Sequence, residues 1–354
     1  VEGEGALDIV VDKGEITHLE LRIFEPPRFF EAFLQGRSFS EAPDSTARIS
    51  GICPDAYQMS SIHAKERALQ ITITPAIRAL RRLFYCAEWI ESHALHVYLL
   101  HAPDFLGYES AIAMAASPEL RPIVERGLRM KKIGNELLGL IGGREVHPIS
   151  ACVGGFYRAP KHRELLGLKE DLEWGLKAAI DTVAWTAGLA FPDFAPDYEH
   201  VALCHSDEYP MNEGRVVSSK GLDIQMEAFE TYFIEEHVAH SNALHARLAN
   251  GGSYLVGPLA RVNLNLDRLS PKAKEAMRKS GLEFPNNNPF LSIVARSLEL
   301  VHVFEESLWL IDAYEEPVPS RVPVSPLAGE GGYVTEAPRG MLYHRYALDE
   351  QGLI

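Results

Sequence analysis

Arg48-Ile49-Ser50-Gly51-Ile52-Cys53-Pro54-Asp55-Ala56-Tyr57-Gln58-Met59 places a thiol after a glycine-containing turn and directly before proline and a helix-forming run. Proline is favoured in the first turn of a helix, where its missing N–H costs nothing. Cys53 is therefore expected at a helix N-terminus, where unpaired N–H groups and the macrodipole favour a thiolate. A thiolate is the form that binds soft transition metals. Ser50 stands where a second cysteine would complete a C-x-x-C clamp. A hydroxyl in that place is a harder and poorer ligand than sulfur.

The chain around this segment reads as a helical core with small β elements at its margin, a mainly α (α+β) fold. Residues 6–24 alternate apolar and polar around Asp12-Lys13-Gly14, which predicts a β-hairpin. A short helix is expected over 28–36, and a helix from Pro54 that ends before Thr74-Pro75. From Pro75 to Ala102 the pattern predicts a long helix with one broad apolar face (Ile77, Leu80, Leu83, Phe84, Ala87, Ile90, Leu95). Pro118–Leu140 reads as another, capped by Ser117 and ended by Gly142-Gly143. Further helices are expected over 161–190 and from Pro289 to Tyr314, with short strands near Val201–Cys204, Val216–Ser218 and Ser253–Val256. Pro317–Gly332, rich in Pro and Gly, reads as a loop. The expected organisation is one domain over 1–354. Within it lie a hairpin (1–24), the first part of the core (25–190), a peripheral insertion (191–288) and a closing segment with the last core helix (289–354).

Composition narrows the function classes. Forty-six per cent hydrophobic residues over 354 positions supply a large core, and the net charge of −15 argues against nucleic-acid or anionic-membrane binding. No apolar run approaches the roughly 20 residues of a membrane span. The four cysteines (Cys53, Cys86, Cys152, Cys204) are scattered and give no disulfide framework, so a cytoplasmic setting is expected. No zinc spacing emerges among the histidines, and no phosphate-binding glycine motif is present.

Several segments in order resemble the large subunit of nickel–iron hydrogenases. Arg48–Met59 is similar to the family's R-x-C-G-x-C element, and Val1-Glu2-Gly3-Glu4-Gly5 to its opening R-V-E-G-H/E-G. Arg28-Phe29-Phe30-Glu31 through Gly36-Arg37 resembles its R-G-F-E-x-x-L-x-G-R. His101-Ala102-Pro103-Asp104, His147-Pro148 with Gly154-Gly155, and Glu336-Ala337-Pro338-Arg339-Gly340 with His344 resemble three further elements. The soluble NAD(P)-linked hydrogenases, or sulfhydrogenases, are the most similar branch.

That resemblance implies a nickel–iron centre with carbonyl and cyanide ligands, H2 as substrate, and partners carrying iron–sulfur clusters and NAD(P) or flavin. It implies Cys53 at the metal-bridging position and Ser50 at a terminal nickel position. Glu2 would pass protons. Arg339 would overhang the metals, with Asp104 orienting it and Pro338 forming an apolar wall. Glu31 would lie near a Mg²⁺ site. The family's second cysteine pair, D-P-C-x-x-C, is absent before Gly352-Leu353-Ile354. A fragment cut at both ends, apo and inactive alone, is therefore expected. Two other readings stay open. One is a metal-free scaffold related to the quinone-site subunit of respiratory complex I, towards which Ser50 and Tyr57 lean. The other is a metal-free paralogue that only stabilises a complex.

Overall fold

The computed structural model describes residues 4–24 and 29–354. Strands β1 (Glu4–Asp12) and β2 (Glu15–Phe24) form the expected antiparallel hairpin. Lys13 and Gly14 both have positive φ (50° and 86°), the backbone that a tight hairpin turn requires. Leu7 pairs with Leu21 and Ile9 with Leu19, so one face of this two-stranded sheet is aliphatic. Those side chains remain exposed. The short helix α1 (Phe30–Leu34) comes next, burying Leu34 alone.

Helix α2 (Pro54–Ala68) has Cys53 as its N-cap and Pro54 at its first position, as the sequence predicts. Helix α3 (Pro75–Leu95) starts at Thr74, whose hydroxyl accepts from the Ile77 N–H at 3.3 Å. It is the axis of the molecule. It packs against α4 (Arg121–Gly142) and the last long helix, α7 (Ser292–Asp312), and α7 packs on α5 (Lys169–Ala187). Between α5 and α7 lie β3 (Val201–Cys204), β4 (Arg215–Ser218), β5 (Asp223–Ile224) and the helix α6 (Pro258–Leu264).

One expectation about α3 fails instructively. The helix is buried on almost every side, so Arg81, Arg82, Glu88, Glu91 and His93 are inside along with the predicted apolar face. A buried charge needs a partner. Arg81 pairs with Glu66 at 2.5 and 2.7 Å, Arg82 with Glu306 and with the Tyr209 carbonyl, and His93 with Glu299 at 2.7 Å. Past Leu95, His96–His101 form a π-helical turn. An i→i+5 turn inserts one residue and rotates the downstream residues by about 100° around the axis.

Other boundaries shift. Helix α4 begins at Arg121 with no side-chain cap, because Pro122 takes the first-turn position and Ser117–Leu120 close a separate turn. Its end is as predicted, with Gly143 left-handed at φ 79°. The region 161–190 splits at Gly167 into a short helix, His162–Leu166, and α5. Ser253–Val256 is no strand; Leu255 makes an isolated bridge to His200.

The larger correction concerns the expected loop before Arg339. Its last residues are paired: β6 (Gly329–Ala337) and β7 (Gly340–Leu348) form a hairpin lying on α2. Glycine there serves close approach, since a Cβ on Gly331 would lie 2.2 Å from the Ala64 carbonyl oxygen of α2. The turn of this hairpin is Pro338-Arg339.

Candidate metal centre

The α2 N-terminus and the β6–β7 turn meet. The Arg339 Nη2 lies 3.4 Å from the Cys53 Sγ, although 286 residues separate them in sequence. Cys53 is 4% exposed, and the Ser50 Oγ accepts from its thiol at 3.2 Å and from its backbone N–H at 3.1 Å. Ser50 also accepts from the Ile52 N–H at 3.2 Å, so its hydroxyl closes the turn that aims the sulfur.

Burial pushes the Cys53 thiol up, and the nearby Glu88 adds to this; Ser50 and Arg339 oppose it. The expected thiolate bias of the helix N-terminus is thus outweighed by desolvation. Loss of the proton needs a stronger cation at the sulfur than one guanidinium supplies.

A buried network, invisible to motif reading, holds the turn. Arg261, on α6, donates from Nη2 to the Pro338 carbonyl at 2.8 Å and from Nη1 to the Ala337 carbonyl at 2.9 Å. The same guanidinium binds Glu299 at 2.7 and 2.8 Å and Glu336 at 3.0 Å. It stacks over Trp89 at 4.3 Å. Glu299 is held below the usual carboxylate range: burial pushes it up, but Arg261 and His93 win. Burial carries Glu336 the other way, to about 7, against Arg261 and the Leu203 N–H. Gly257 is obligatory beside this network, because a Cβ there would lie 2.7 Å from the Arg339 carbonyl oxygen. The available signal was Glu336 within the E-A-P-R-G element; nothing local to Arg261 or Glu299 marked them.

The other sequence-predicted residues scatter. Pro338 is buried in the hairpin turn. Asp104 is exposed, in a surface cavity of about 470 Å³ with His101, Phe105 and Pro289, and forms no ion pair with Arg339. Glu31 is exposed on α1. Glu2 lies outside the described residues. Cys86 is in the core and Cys152 on a short β-ladder, so neither joins Cys53. Among the described residues, the grouping of three metal-competent side chains is elsewhere, at His205, Glu208 and Glu213. Its two carboxylates are already engaged by Arg78, at 2.8 Å to Glu213 and 2.5 Å to Glu208.

Comparison with known proteins gives this geometry a context. A model of the nickel-dependent hydrogenase family matches residues 28–121. The alpha subunit of sulfhydrogenase 1 from Pyrococcus furiosus is 33% identical over 352 residues, covering 98% of this chain and 81% of that protein. The chain belongs to the nickel-dependent hydrogenase family. The beta subunit of the NAD-reducing hydrogenase HoxS of Cupriavidus necator is 27% identical over 402 residues, spanning all of this chain and 81% of that one. Among solved structures, an NAD+-reducing [NiFe]-hydrogenase in the H2-reduced state superposes with a TM-score of 0.87 at 27% identity, covering 100% of this chain and 84% of the other. The large-subunit catalytic role fits these hydrogenase relatives, and they do not favour the metal-free scaffold reading. The helical core with small antiparallel sheets is the hydrogenase large-subunit fold. Among the described residues no helix is long and apolar enough to cross a membrane.

The family implies a nickel–iron centre, and the donors here fit part of one. A buried thiol and a buried hydroxyl converge to 3.2 Å, with a cation on the sulfur. Cys53 is a soft ligand suited to nickel or iron; Ser50 is a hard one.

Proposed function

We propose that Cys53, Ser50 and Arg339 form the chain's share of the catalytic site of a nickel–iron hydrogenase large subunit, which interconverts dihydrogen with protons and electrons. The observation that carries this reading is the approach of the Arg339 guanidinium to the sulfur of buried Cys53. When bound, a nickel–iron centre with carbonyl and cyanide ligands supplies a soft, redox-active site that polarises H2 for heterolytic cleavage.

The chain's own residues prepare that chemistry. Cys53 offers one thiolate and Ser50 one weak oxygen ligand. Arg339 holds positive charge and N–H donors over the sulfur side, where cyanide nitrogens would accept them. Arg261 keeps that turn from sagging by binding the Ala337 and Pro338 carbonyls. Buried Pro338 keeps water from the same wall. Glu2, by its motif, takes protons from the thiolate side. Electrons leave for an iron–sulfur subunit and, as the named relatives suggest, an NAD(P)-linked module.

The test is metal analysis and infrared spectroscopy of the chain produced with its partners and maturation machinery. Nickel, iron and sharp carbonyl and cyanide bands are the expected result, and their loss in Cys53→Ala. Ser50→Cys should raise nickel retention. If Ser50→Cys leaves nickel content unchanged while Cys53→Ala still retains both metals, the assignment of this pocket is wrong.

A further inference from the structure

Glu88 is the one acid of α3 whose burial the surrounding ion pairs do not answer. It has no accessible surface. Its Oε1 accepts the N–H groups of Asp55 at 2.8 Å and Ala56 at 3.1 Å, so the carboxyl sits at the α2 N-terminus, beside Cys53. Its Oε2 is buried and has no hydrogen-bond partner. Cys53 and Glu88 feel one another electrostatically, and Arg339, which touches the Cys53 sulfur, also acts on Glu88.

Glu91 lies three residues further along the same helix, so its Cβ is about 5–6 Å from that of Glu88. It is mostly buried and ion-paired to Lys131 of α4 at 2.7 Å. The contact exists because Gly134 lets α4 approach closely: a Cβ there would lie 2.7 Å from the Glu91 backbone nitrogen. Lys131 reaches solvent, and exposed Glu145 lies within electrostatic range of Glu91.

We propose that Glu88 and Glu91 form a proton path from the Cys53 end of the site to the surface at Lys131, separate from the N-terminal glutamate. The proposal rests on the hydrogenase reading above. In the oxidising direction, a proton released at the site forms an O–H bond at the Glu88 Oε2. That bond breaks as the proton passes to the Glu91 carboxylate, directly or through one water, and Glu91 releases it to solvent. No electron moves along this route. Burial raises Glu91, and Lys131 opposes this, favouring the ionised form that accepts the proton.

The charge environment suits the task. Facing Glu88 are Asp55 of α2, Tyr85 and Glu91 of α3, and Arg339 of the β6–β7 turn; facing Glu91 are Lys131, Glu145 and Asp55. Burial, with Glu91 adding to it, raises Glu88 to about 8, against the Ala56 and Asp55 N–H groups and Arg339. A carboxyl near neutrality can both take and give a proton at physiological pH. A purely structural Glu88 would need only its accepting oxygen.

Glutamine separates the two roles, because Glu88→Gln keeps an acceptor for the Asp55 and Ala56 N–H groups and cannot carry a proton. The first experiment uses the metal-free chain, so it does not depend on the metal reading. Infrared difference spectra should show a buried protonated-carboxyl C=O band that Glu88→Gln removes, and Glu91→Gln should slow its exchange with D2O about tenfold or more. In the metal-loaded complex, Glu88→Gln should cut H2/D2O isotope exchange by a similar factor, with nickel content and diatomic-ligand bands unchanged. Glu88→Asp should restore part of the exchange. A band that survives Glu88→Gln, or an exchange rate indifferent to Glu91→Gln, overturns the path whatever the metal content proves to be.

Discussion

Replacing Arg261 with methionine removes the guanidinium that joins the core to the Arg339 turn. Five hydrogen bonds go: two to Glu299, one to Glu336, and one each to the Ala337 and Pro338 carbonyls. Glu299 keeps His93 and the Tyr209 hydroxyl, neither of them a full cation, and the Glu336 carboxylate keeps only the Leu203 N–H. Removing one partner of a buried ion pair typically costs about 3–5 kcal/mol. Each carbonyl left dry adds roughly 1–3 kcal/mol. These contributions share atoms and do not add in full, so the expected loss is about 5 kcal/mol. That rivals the whole stability of many domains, about 5–15 kcal/mol. The assay is urea unfolding at neutral pH, with alkylation of Cys53 in the native state as a local probe. Arg261→Met should shift the midpoint sharply and speed alkylation, because the turn over the sulfur loses its anchor. The double variant Arg261→Met, Glu299→Met should recover a large part of the loss, since it buries neither charge. A loss below about 1 kcal/mol, with alkylation unchanged, would refute the view that this network positions Arg339.

The same buried groups lead to other expectations. Glu336 has its native value raised by burial from 4.5 to about 7, so the folded chain binds a proton that the unfolded chain releases between those pH values. Its contribution is therefore present below about pH 4.5 and lost as pH rises through 7, a span worth about 3 kcal/mol. Glu336→Gln should flatten the stability profile in that window, measured by denaturation at stepped pH. Lys65 is fully buried with its Nζ 3.8 Å from the Tyr346 ring centroid, and burial holds it well below its usual value. The unfolded chain binds that proton more readily, so stability should rise with pH on the alkaline side, and Lys65→Met should abolish the rise. Gly331→Ala forces a methyl against the Ala64 carbonyl and should cost roughly 1–3 kcal/mol by thermal or urea unfolding. Threonine at Leu7, Ile9, Leu19 and Leu21 keeps strand propensity while removing the exposed aliphatic face. Light scattering of the isolated chain should show less self-association in that variant.

Local signals were enough for much of this architecture. Pro54 after Cys53 and Thr74-Pro75 marked helix starts, Gly142-Gly143 a helix end, and Lys13-Gly14 a hairpin turn, because caps and turns are settled by neighbours in sequence. The ordered motifs pointed to the hydrogenase family before any coordinates did. Glycine misled where its reason was contact: Gly331 reads as a loop residue until α2 is seen beneath it. The exposure of Asp104 is likewise not written in the spacing of H-A-P-D. The ordered motifs implied that Arg339 stands over Cys53, but the direct contact, and the joining of Arg261 with Glu299 and Glu336, came only with the tertiary structure. Those contacts join segments far apart in the chain, and their energy comes from shared burial, which no single segment possesses.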